Sequence, residues 1–135
     1  MRVVVDTNVF VSAALKDKSF PALALHVVEQ RGTLLKSAVT ERQLFEVLAR
    51  PRLAALIDRA SVDRMHRLMA AAELVTITER IAACRDMTDD KFLELAVNGK
   101  ADMIVSGDSD LLVLNPFRGI PIIVPAVFVQ GAARA

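Results

Sequence analysis

The sequence predicts an α/β fold: a three-layer α/β/α sandwich with a central parallel sheet of four to five strands. Three observations carry that prediction. Short aliphatic runs, at Val3–Val5, TLLKS, IV before Ser106 and IPIIV, alternate with longer stretches of helical periodicity. The VVV run is β-branched throughout instead of alternating with polar residues, as in a strand covered on both faces. The chain has 135 residues, 53% of them hydrophobic and 24% charged, which suits one domain (1–135) with a real core and argues against disorder.

Taken in order, Val3–Val5 is the first strand, and residues 9–15 and 22–30 follow as helical segments interrupted by DKSFP. Pro21 suits the first turn of the second segment and Gly32 ends it. TLLKS is the second strand. Thr40 is the expected N-cap of a helix to about Ala49, stopped by Arg50-Pro51, and a short helix is expected over 52–58. From Ser61, the residues Val62, Met65, Leu68, Met69 and Ala72 recur at helical spacing, with Asp63, Arg64 and Arg67 elsewhere. ELVTI is strand-like but ambiguous, and TERIAAC suggests one or two helical turns. Thr88 is the expected cap of DDKFLELAVNGK, with Phe92, Leu95 and Ala96 inward and Asn98-Gly99 as its stop. A strand at Met103–Val105, a turn at Ser106-Gly107, a short helix from near Asp108, a strand in IPIIV and a terminal helix begun by Pro125 complete the chain. Such alternation implies right-handed crossovers and helices on both faces.

Net charge is +1, so no global positive field marks a nucleic-acid binder. The distribution is uneven: seven Lys/Arg against four acids lie between Lys36 and Arg67, and seven acids against two lysines between Asp86 and Asp110. Cys84 is the sole cysteine, which excludes an internal disulfide and fits a reducing, cytoplasmic location. No signal-peptide pattern precedes the first strand, and the apolar tail from Ile120 is broken by Pro121 and Pro125, short of the ~20 residues that span a bilayer. With no Trp or Tyr the apolar excess is aliphatic, some of it available for an interface.

Asp6 ends an apolar strand, and burying an ionised carboxylate demands compensation. Asp108 and Asp110 follow a later strand, Asp89 and Asp90 open a helix, and Glu46 lies on the helix after the second strand. Each has a structural explanation: Asp6 as a cap, Asp89 and Asp90 as favoured charges in a first turn, Asp108 and Asp110 as turn residues. In an open α/β sheet, however, ligands bind beyond the carboxyl ends of the strands, and that topology aims several of these groups at one edge. An all-oxygen cluster suits Mg²⁺ or Mn²⁺, while no His/Cys set has zinc spacing. His26 and His66 read as ordinary surface or boundary residues, and Cys84 as a small buried hydrophobe. A nucleophile elbow and a Gly-rich phosphate loop are both lacking.

VVVDTNVFVSA, DDKFLELA and IVSGDSDLL, in this order and spacing, resemble the PIN-domain ribonucleases, especially the toxins of bacterial and archaeal toxin–antitoxin systems. The match covers nearly the whole chain. The resemblance implies a metal-dependent endoribonuclease in which Asp6, Asp90 and Asp108 hold Mg²⁺ or Mn²⁺ with Asp110 close by, Asn8 and Ser106 support the site, and products carry a 5′-phosphate. It also implies homodimers and a small antitoxin partner. Basic residues between Lys36 and Arg67, Arg50 and Arg52 among them, are candidates for RNA backbone contact. One departure matters: where the family usually has a Glu on the helix after the second strand, this chain has Gln43, with Glu46 one turn further on as the expected substitute catalytic acid. The rival is therefore a degenerate PIN domain that binds RNA or a protein without cutting. A haloacid-dehalogenase-type phosphatase would need a second Asp where Asn8 stands, and a receiver domain needs an acidic pair and a late Lys that are absent.

Overall fold

Five strands, β1 (Arg2–Val5), β2 (Thr33–Lys36), β3 (Glu73–Leu74), β4 (Met103–Val105) and β5 (Ile122–Ile123), form one parallel sheet in the computed structural model, which describes residues 1–134. Their order is β3-β2-β1-β4-β5. The chain thus runs outward from β1 to β3 and then returns to the other side of β1. The reversal falls between β1 and β4, where Val3 lies opposite Met103 and Val5 opposite Val105. That switch point is where an open sheet leaves a crevice at its carboxyl edge.

The pleat sorts the core into two layers. Val3, Val5, Leu34 and Val105 face α1 (Thr7–Leu15), α2 (Phe20–Arg31), α3 (Ala38–Leu48), α5 (Arg59–Ala71) and α8 (Pro125–Ala133), packing on Phe10, Leu25, Leu44, Met65 and Phe128. Val4, Leu35, Ile104 and Ile122 face the other way, against Phe92, Leu93, Leu95 and Ala96 of α6 (Asp90–Asn98) and Leu111 of α7 (Ser109–Leu112). A four-residue helix, α4 (Pro51–Ala54), follows α3. This is the predicted three-layer sandwich, with five strands.

Several helix starts differ from expectation. Ser37, not Thr40, caps α3: its Oγ accepts from Thr40 N–H at 3.2 Å, and Thr40 Oγ1 accepts from Ser37 N–H at 2.9 Å, so Thr40 is the reciprocal member of a capping box. α5 begins at Arg59, two residues before Ser61, and Asp58 caps it by accepting Ser61 N–H at 2.8 Å. The short helix is 51–54, not 52–58. TERIAAC forms no helix because α6 side chains take its backbone donors: Ile81 N–H bonds Glu94 at 3.1 Å, and Ala83 and Cys84 N–H bond Asp90 at 3.0 and 2.7 Å. Thr88 lies inside a single 3₁₀ turn, Met87–Asp89, capped by Asp86, and α6 begins only at Asp90.

Candidate metal centre at the carboxyl edge

Asp6 is 2% exposed, and both its carboxylate oxygens are engaged. Its backbone N–H bonds Val105 C=O at 3.0 Å, fastening the end of β1 to the end of β4. One side-chain oxygen caps α1 by accepting Asn8 N–H at 3.1 Å, and the other accepts from Ser106 Oγ at 2.7 Å. Ser106, fully buried, accepts in turn from Asp108 N–H at 3.0 Å. Burial pushes the Asp6 carboxyl above its ordinary value, opposed by the Ser106 and Asn8 donors and reinforced by the charge of Asp108. The capping role and the site position are therefore the same geometry.

Asp108 caps α7, accepting Asp110 N–H at 2.9 Å, and this turn presents both side chains at the edge. Asp89, from the junction of the 3₁₀ turn and α6, joins them: one oxygen from each of Asp89, Asp108 and Asp110 lies within 4.8 Å of the others. Burial, then the hydrogen bond and charge of Asp108, then the charge of Asp6, push the Asp89 carboxyl up to about 7. Such crowding of like charges is relieved by a cation, and a purely oxygen donor set with partial exposure fits Mg²⁺ or Mn²⁺.

The remaining candidates divide. Asp90 is buried, but one of its oxygens faces the loop amides of Ala83 and Cys84 and it is not among the three converging carboxylates; burial raises it, and those N–H donors with the Cys84 thiol outweigh burial and hold it below its usual value. The structure thus brings Asp89 to the edge from the Asp89-Asp90 pair. The resemblance points to Asp90 instead, whose Oδ1 is taken by backbone amides of the segment 75–86, a segment with no local signature. Gln43 reaches inward and accepts from Thr7 Oγ1 at 2.8 Å, next to Asp6. Glu46 is exposed on α3. Asn8 contributes its backbone N–H to Asp6 and is exposed. Arg50 and Arg52 are exposed around α4, whereas Lys36 pairs with Glu41 at 2.8 Å. Lys91, unselected by motif, places its charge near enough to lower Asp6. His66 stacks on Phe45 with ring centroids 4.0 Å apart, away from the acids in sequence and role. Cys84 is buried, and burial with the neighbouring Asp90 pushes its thiol up to about 12, which leaves it inert as a nucleophile.

Among the described residues no helix is long and apolar enough to cross a membrane. The fold is similar to that of PAE2754 from Pyrobaculum aerophilum, with TM-score 0.61 and 19% identity over 98% of this chain and 90% of that one. It is also similar to VapBC2 from Rickettsia felis, solved bound to a DNA fragment from their promoter, with TM-score 0.59 and 12% identity over 90% of this chain and 97% of that one. In sequence it is 28% identical over 121 residues to an uncharacterized protein of Methanocaldococcus jannaschii, covering 85% of this chain and 76% of the relative. Residues 2–110, from the first residue of β1 through the acids after β4, match the PIN domain, and the chain belongs to that family of nucleases.

Proposed function

We propose that this protein is a metal-dependent endoribonuclease, and the toxin of a toxin–antitoxin pair. The observation that carries the nuclease reading is the convergence of Asp89, Asp108 and Asp110 at the switch point, with Asp6 fixed behind them by Ser106. Asp6, Asp89, Asp108 and Asp110 are the residues that would hold Mg²⁺ or Mn²⁺, with Asp90 setting the loop beside them. A bound cation would neutralise the phosphodiester and lower the pKa of water, supplying hydroxide as the nucleophile. The protein's part is to hold the carboxylates rigid through caps and buried hydrogen bonds, and to keep Lys91 close by as a fixed positive charge. The exposed Arg50 and Arg52 offer charge for RNA backbone. By analogy with the ribonucleases the chain resembles, water attacks phosphorus and the 3′ oxygen leaves, so that the downstream product carries a 5′-phosphate. Resemblance to the toxins supports a homodimer and a small antitoxin partner in a cytoplasmic setting.

A second reading, a PIN domain that binds without cutting, draws on Gln43, which supplies no charge and is already engaged by Thr7. Chelator-stripped protein incubated with mixed labelled RNAs, with and without Mn²⁺ or Mg²⁺, decides between them. Metal-dependent cutting, lost in Asp108→Asn, is the expected result. Cutting that persists without metal or in the variant would sink the metal-dependent reading, and binding without cutting would establish the second one.

A further inference from the structure

We propose that the groove beside Asp108 is a base-stacking subsite, in which Phe20 takes the face of a nucleobase of single-stranded RNA adjoining the phosphate at the carboxylates. The inference deepens the nuclease reading and rests on it. The groove, about 680 Å³, opens directly from Gly107 and Asp108 and is walled by Phe20, Pro21 and Pro125, with Asn8 and Ser12 as its polar rim. Its continuity with the acids puts whatever fills it within one nucleotide's reach of them.

Phe20 is the anomaly. Of six phenylalanines it alone stands among the exposed large hydrophobics, at 47%, whereas Phe10, Phe92 and Phe128 are buried and Phe45 is stacked on His66. Phe20 also lines a second depression of about 450 Å³, shared with Asp17, Lys18 and Leu23. The turn carrying it is built, not loose: Ser19 Oγ donates to Lys16 C=O at 2.7 Å and accepts Ala22 N–H at 3.3 Å, capping α2. Lys16 and Lys18 are exposed in that turn, with no ion pair among the described residues. An exposed aromatic ring in a turn that also carries Lys16 and Lys18 around Asp17, next to a phosphodiester centre, is the combination that holds single strands: stacking for the base, charge for the backbone. Asn8 gives its backbone N–H to Asp6 and, being exposed, leaves its side-chain amide for a base edge.

The chain has no tryptophan, so Phe20→Trp creates a single fluorescent reporter at the position in question. We would titrate it with a single-stranded RNA oligonucleotide and with an abasic strand of equal length, in an Asp89→Asn background that prevents turnover, and compare RNA affinity by anisotropy for Phe20→Ala and Phe20→Leu. Stacking predicts fluorescence quenching by the RNA but not by the abasic strand, and affinity weakened about tenfold in both the Ala and Leu variants. Quenching by both strands alike, or Leu binding as well as Phe, would mean an apolar contact without stacking and overturns the proposal. So would unchanged affinity in Phe20→Ala, which leaves the groove to a protein partner. Cleavage by the parent protein is assayed separately: cutting with no quenching removes the subsite alone, and quenching with no cutting removes the nuclease while the subsite stands.

Discussion

Ser106 sets the condition of Asp6. It supplies a hydroxyl donor to a carboxylate that is 2% exposed, and it accepts the N–H that fixes Asp108. Ser106→Ala therefore leaves a buried charge short of a donor and an amide short of an acceptor, and should lower stability by about 1–3 kcal/mol in urea denaturation. An unchanged midpoint would show that water replaces the hydroxyl freely. Gln43 poses the complementary question. Gln43→Glu keeps the oxygen that accepts from Thr7 and adds a negative charge facing Asp6's neighbourhood, so it should tighten Mn²⁺ binding in calorimetry, while Glu46→Ala, altering an exposed side chain, should leave it nearly unchanged. Loss of Mn²⁺ binding in Glu46→Ala would instead make Glu46 the working ligand.

At the scale of elements, the N-terminus of α6 carries two aspartates with opposite duties. Asp90 holds the extended segment by accepting from Ala83 and Cys84, whereas Asp89 meets Asp108. Asp90→Ala should cost about 1–3 kcal/mol by stranding those two amides. Asp89→Asn should raise the melting temperature of chelator-treated protein near neutral pH, since it removes one of the crowded charges, and should weaken Mn²⁺ binding. Equal melting temperatures in the two variants would show that this division of labour is wrong. The same helix marks the limit of legibility. The strands were readable because aliphatic runs have one use in a buried parallel sheet, and Asp6, Asp108 and Asp110 because they end such runs. The segment 75–86 was not, because its backbone partners are the side chains of Asp90, Glu94 and Asn98, supplied from later in the chain, and no local pattern announces them. The start of α3 at Ser37 and not Thr40 has a smaller cause: either end of a Ser37–Thr40 capping box looks like a cap.

For the molecule as a whole, the acidic edge makes stability depend jointly on pH and on divalent cation. Asp6 and Asp89 have carboxyls raised in the folded state, Asp89 to about 7, so folding favours their protonated forms. Their contribution is greatest in acid and is lost as pH rises from the ordinary carboxylate range through about 7. Asp58, Asp86 and Asp90 are lowered, by hydrogen bonds to their ionised forms, so their contribution is present above the ordinary range and lost as pH falls below it. Without a cation these opposed slopes place maximum stability in mild acid. A bound cation compensates the ionised cluster and stabilises only the fold that assembles it. Melting temperatures by circular dichroism, at about pH 5.5 and about pH 8 with chelator or with excess Mn²⁺, should therefore show a larger gain from Mn²⁺ at the higher pH. The gain should shrink in Asp108→Asn, because one of the charges that creates it is gone. A gain that is equal at both pH values, or that survives the substitution, would place the bound cation away from this edge.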